Sequence, residues 1–135
     1  MAAFPLELVT PERILFSEEV QAVRAPGING SFGVLARHAP MLTALTTGLI
    51  KLTLANGFDA FIATSGGFME VSRQKVIILA DSAELSEEID VEKARAAAER
   101  ARKLLEVPDG SVDAEELRKE LEHAENLIRV AEMRH

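Results

Sequence analysis

The chain contains no cysteine, no tryptophan and no tyrosine. Without cysteine there can be no disulfide scaffold, thiol nucleophile or thiolate zinc site, and the composition fits a reducing compartment. Without Trp and Tyr the usual stacking platforms for sugars and bases are missing, and six Phe are the only aromatic residues. Positive charge is short as well. Fifteen Lys and Arg stand against twenty-two Asp and Glu, a net charge of -7 with no basic stripe, which speaks against nucleic-acid binding. No window approaches the roughly 18 consecutive apolar residues of a membrane span. The opening residues carry no basic segment leading into an apolar run. A soluble, unexported protein with no direct membrane insertion is expected.

What is present suffices for one packed domain with a small appendage: 135 residues, 47% hydrophobic and 27% charged. The chain changes character near Ser86. Residues 1–85 hold six basic and eight acidic side chains, and residues 86–135 hold nine and fourteen. All glycines but Gly110, and all prolines but Pro108, fall in the first part, where short runs rich in Val, Ile, Leu, Phe and Thr are punctuated by turn residues. That part reads as β. Leu49–Ala55 and Phe58–Ala63 flank Asn56-Gly57, which predicts a hairpin with a type I′ turn. A second hairpin is expected from Phe68–Val71 and Val76–Ala80 around Ser72–Lys75, and Phe4–Thr10 and Glu19–Ala25 supply further alternating runs. Many short strands at this spacing argue for an antiparallel sandwich or flattened barrel.

Residues 86–135 read as two helices. Val91, Ala94, Ala98, Ala101 and Leu105 form one seam at 3-4 spacing; Ala114, Leu117, Leu121, Ala124, Ile128 and Ala131 form another. Val107-Pro108-Asp109-Gly110 separates them. Asp90 and Asp113 are placed to cap the two N-termini, with Ile89 and Ala94 as a staple for the first and Glu116 completing a capping box in the second. An antiparallel helical hairpin follows, and its alanine-rich first seam allows close approach at little burial.

Chemistry is sparse. His38, His123 and His135 lack metal-ligand spacing, so no metal site is expected. Ser65-Gly66-Gly67 is not a nucleophile elbow, because Ala63 stands where the first glycine should be. Its glycines answer to backbone geometry. Gly27, Gly30 and Gly33 lack the lysine and spacing of a phosphate loop and read as a loop signal. His38, within Arg37-His38-Ala39-Pro40, is either a turn histidine bonded to backbone or a partner contact. Lys93, Arg95, Arg100, Arg102 and Lys103 form a solvated face or, near the helix N-terminus, an anion-binding one. No convergent acid, base or nucleophile set emerges, so no catalytic residue and no required cofactor are expected.

Three stretches taken in order carry a family resemblance: Phe32 to Leu45, with its G-x-L-x-x-H-x-P pattern; Ser65 to Val71, reading SGGFMEV; and the alanine-rich helical pair. Together they resemble the epsilon subunit of bacterial F-type ATP synthases over nearly the whole chain. The resemblance implies a flattened ten-stranded antiparallel β-sandwich over 1–85, for assembly with the gamma subunit and the c-ring, and a two-helix regulatory arm over 86–135. It implies a noncatalytic rotor subunit, peripheral on the cytoplasmic face of the bacterial plasma membrane. Its arm can fold on the sandwich or extend toward the alpha/beta catalytic head and slow ATP hydrolysis. Fully extended, roughly 45 helical residues would reach about 65 Å, against about 30 Å for the folded hairpin.

The c-ring-facing loop of the family corresponds to Asn29, Gly30 and Ser31, with His38 nearby. Some relatives bind ATP through an I-D-x-x-R-A motif, which here reads Ile89, Asp90, Val91, Glu92, Lys93, Ala94, with Glu84 upstream and Arg100 as a further basic contact. Lys93 keeps the charge of the family arginine but lacks its planar fork. His123 and Leu127 fall where ATP-binding relatives carry arginines, so weak ATP binding is implied. A cytosolic β-sandwich adaptor, whose hairpin docks a partner, is the other reading that the same seams allow.

Overall fold

A computed structural model describes residues 2–107 and 113–133. The alternating runs of the first part become nine strands: β1 (Phe4–Val9), β2 (Ile14–Gly27), β3 (Gly30–Leu35), β4 (Met41–Leu45), β5 (Gly48–Leu54), β6 (Asp59–Thr64), β7 (Gly67–Val71), β8 (Val76–Ala80) and β9 (Ala83–Leu85). A single 3₁₀ turn over Ser86–Glu88 leads to α1 (Val91–Glu106) and α2 (Ala114–Ala131). Pro108, Asp109 and Gly110, the expected break between the helices, lie outside the described residues, as does His135.

β2 accounts for nine strands where ten were expected. Its first half pairs with β1, from Phe4↔Val20 to Val9↔Ile14, and its second half pairs with β3 and β5. The register slips between Val20 and Ala22, so one long strand serves both layers through a bulge. One layer runs β2, β1, β8, β7, β4, and the other runs β3, β2, β5, β6, β9. Gly27↔Leu45 joins them at a corner. The pairing is antiparallel except between β1 and β8, where Leu6↔Val76 through Val9↔Leu79 run parallel. Period-2 alternation directs Leu6, Leu8, Val20, Val23, Ile50, Leu52, Ile62, Met69 and Ile78 between the layers, where all are essentially buried.

Both expected hairpins form, but the first closes differently. Gly57 alone has positive φ, at 91°, and Asn56 does not, which excludes a type I′ turn. Gly57 N donates to the Leu54 carbonyl and Leu54 N to the Phe58 carbonyl, while Asn56 Oδ1 accepts from Phe58 N. The loop thus has three residues, with the glycine carrying the left-handed step. The 27–33 glycine segment is mostly strand: Gly27 pairs with Gly30, and the turn is only Ile28-Asn29. At Gly67, φ is 141° and a side chain would collide with the Leu79 carbonyl, so this glycine lets β7 approach β8.

Both aspartate N-caps form as expected. Asp90 Oδ1 accepts from Lys93 N at 3.1 Å, and Asp113 Oδ1 accepts from Glu115 N and Glu116 N. Ala94, Ala98 and Ala101 are buried, but α1 packs on α2; it is α2 that meets β5, β6 and the 3₁₀ turn. Arg102–Glu125 at 3.1 Å and Arg100–Glu120 at 4.0 Å bridge the two helices. The seam between hairpin and sandwich is small: Ala63, Ile89, Val130 and Ala131 are buried, with Leu49, Phe61, Val91 and Leu127 around them. Burial of Ile62, Ala63 and Thr64 in succession marks where β6 is covered on both faces.

Candidate functional site

Three regions hold the residues that sequence singles out, and a fourth emerges only in three dimensions. The β2–β3 turn carries Asn29, Gly30 and Ser31, all exposed beside Ile28, itself 65% exposed. Ser31 Oγ accepts from an Arg24 guanidinium N–H at 3.3 Å. His38 does not join them. β3, about 17 Å long at strand rise, lies between that turn and the 36–40 loop.

In that loop the imidazole of His38 stands edge-on to the Phe4 ring, 5.1 Å between centroids. Both of its ring nitrogens are buried without a hydrogen-bond partner among the described residues, so the backbone bond of the turn-histidine reading is not made. Arg37 is the one non-glycine described residue with positive φ, 63°. It lines a cavity of about 450 Å³ with His38, Pro40 and Arg73.

At the N-terminus of α1, Glu84, Ile89, Asp90, Lys93 and Ala94 converge on one cavity of about 250 Å³, closed on the α2 side by His123 and Leu127. Seven scattered sequence positions therefore do share a site. Arg100 does not reach it. Two helical turns further along α1, it faces Glu120 and lines a separate surface hollow with Glu99 and Lys103. The remaining charges are two carboxylates, Glu84 and Asp90, against Lys93. The volume falls below the roughly 300–1,000 Å³ usual for small-molecule sites. These residues fit a triphosphate poorly.

The region that sequence reasoning missed is the outer face of the β1–β8–β7–β4 layer. Cross-strand pairing aligns Ala44, Phe68, Leu79 and Val9 in one row, with Leu42 in the next. Leu42, Phe68 and Leu79 are 69%, 54% and 56% exposed. The hairpin covers the other layer, leaving these side chains uncovered among the described residues. Apolar residues at both phases of β7 and β8 were the available signal. Also missed was a two-bond ion pair in which Arg13, after β1, meets Glu88 in the 3₁₀ turn at 3.0 and 3.3 Å. The hydrogen bond from Arg13 holds the Glu88 carboxyl below its ordinary value against the opposing effect of burial.

Residues 3–86 match the family model described as the β-sandwich domain of the ATP synthase Delta/Epsilon chain. Over 131 residues the chain is 44% identical to an ATP synthase epsilon chain of Syntrophomonas wolfei, spanning 97% of this chain and 96% of that protein. The chain belongs to the ATP synthase epsilon-chain family. An epsilon chain of Desulforamulus reducens is 42% identical over 127 residues, covering 94% and 96% of the two chains. Among solved structures, a chain from the mitochondrial ATP synthase of Euglena gracilis, in an assembly described as OSCP/F1/c-ring, is 31% identical with a TM-score of 0.82. That match covers 94% of this epsilon chain and 80% of its counterpart. A chain from the Tetrahymena thermophila mitochondrial ATP synthase shares the fold at 12% identity, with a TM-score of 0.59. Between the two readings of the sequence, membership of this family selects the ATP synthase subunit over the adaptor. Among the described residues no helix is long and apolar enough to cross a membrane.

Proposed function

We propose that this epsilon chain is a noncatalytic subunit of the rotor, joining gamma to the c-ring through its sandwich and restraining ATP hydrolysis through its hairpin. The observation that carries the assembly role is the uncovered face of Phe68, Leu79 and Leu42 on a sandwich whose other layer is already occupied by α2. Such a face suits a permanent protein partner, which we take to be gamma. The exposed turn of Ile28, Asn29, Gly30 and Ser31 is the proposed c-ring contact, and His38, at the other end of β3, belongs to a different surface. The complex holds the chain peripherally at the cytoplasmic face of the bacterial plasma membrane.

Regulation rests on the size of the hairpin seam. A few small and medium apolar side chains secure α2 to β5 and β6, whereas the two helices carry their own caps and inter-helix ion pairs. The hairpin can leave the sandwich while each helix persists, and an extended arm can reach the alpha/beta head. ATP binding at the α1 N-terminus is weak, with Lys93 its one strong cation. The assembly role is tested by pull-down with gamma. Full-length chain is retained and Phe68→Lys/Leu79→Lys, folded by circular dichroism, is lost; equal retention of both would overturn the assignment of this face.

A further inference from the structure

Among the described residues, the buried positions of α2 include one polar side chain. Asn126, in the middle of α2, is 2% exposed and points at the end of the β5–β6 ladder. Its Nδ2 donates to the Gly48 carbonyl at 2.8 Å and lies 3.4 Å from the Thr64 carbonyl. Gly48 and Thr64 are themselves a cross-strand pair, the last of that ladder. Thr64 is fully buried, and its hydroxyl is engaged with both the carbonyl and the N–H of Gly66. The amide of Asn126 thus gives two main-chain acceptors at a strand end a donor from outside the sheet.

From this geometry we infer that Asn126 is the latch that sets the balance between docked and released hairpin. The inference deepens the movable-arm reading proposed above and rests on it. The rest of the seam consists of Ala63, Ile89, Val130 and Ala131 with Leu49, Phe61, Val91 and Leu127, apolar shapes that present no polar group to fix the register. Two carbonyls at fixed positions cannot be satisfied from a shifted helix, so the amide specifies register. On release the carbonyls and the amide all regain water, so the latch opens without stranding a polar group. An apolar residue of the same size would take the Nδ2 donor away from both carbonyls in the docked state only. A carboxylate would add repulsion against them.

The absence of cysteine allows a clean distance measurement on the full-length chain. Gln74→Cys in the β7–β8 turn and Glu132→Cys after α2, both exposed, accept a dye pair for single-molecule energy transfer. The parent is expected to give one narrow docked population. Asn126→Asp should raise the ratio of released to docked molecules by at least about tenfold, and Asn126→Leu in the same direction by less. Arg118→Gln, on an exposed position of α2, should leave the ratio unchanged. If Asn126→Asp loses its helical circular dichroism, Asn126→Leu decides. A parent already released, or Asn126 variants indistinguishable from Arg118→Gln, overturns the latch. If the variants release the arm but ATP hydrolysis by the reconstituted complex is unaltered, the latch stands and the regulatory reading falls.

Discussion

At Lys93, chemistry and geometry disagree about strength. The lysine shares a cavity with Glu84 and Asp90, and Asp90 already spends an oxygen on the α1 cap. Calorimetry should therefore find ATP binding only in the millimolar range and weaker still for Lys93→Ala. His123→Arg/Leu127→Arg should tighten it by about tenfold or more, because both positions line the same cavity and each adds a bidentate phosphate donor. Gly67 makes a sharper prediction. Its left-handed φ and the Leu79 carbonyl leave no room for a methyl group, so Gly67→Ala should cost at least about 2 kcal/mol in urea unfolding.

Between elements, the Arg13–Glu88 pair ties the β1–β2 connection to the 3₁₀ turn at the foot of the hairpin. Glu88 is held below its ordinary value in the folded chain, so the tie contributes fully above that value and is lost as pH falls through the lowered one. Both side chains are substantially exposed, so the contribution is small and salt-sensitive. Acid titration of stability should be shallower below about pH 4.5, the ordinary glutamate value, for Glu88→Gln than for the parent. An unchanged acid limb would show that the pair does not contribute to stability. The elements themselves were largely legible in the sequence, because period-2 runs, Asn56-Gly57 and the two aspartate caps are local signals that tertiary context did not override. The turn type at Asn56 was not legible: its side chain satisfies Phe58 N instead of its backbone adopting positive φ. The double duty of β2 was equally hidden, since a bulge at Val20 to Ala22 leaves no compositional mark.

For the molecule as a whole, the sequence placed Glu84, Ile89, Asp90, Lys93 and Ala94 together by resemblance, and the fold brings them to one cavity. Arg100 shows the limit of that reasoning. Register along a helix puts it on a related face, but an acidic partner on α2 and two turns of rise keep it outside. Asn126 and the Phe68–Leu79 face were missed because each depends on which layer covers which, and no local pattern encodes that. The hairpin is proposed to restrain hydrolysis from a sandwich that assembles without it. The most direct measurement reconstitutes the catalytic head and gamma with the full-length chain or with the chain cut after Ser86, and follows ATP hydrolysis. Incorporation of both forms with faster hydrolysis for the shortened chain is the predicted result. Equal rates at every ATP concentration, with both forms incorporated, would contradict it.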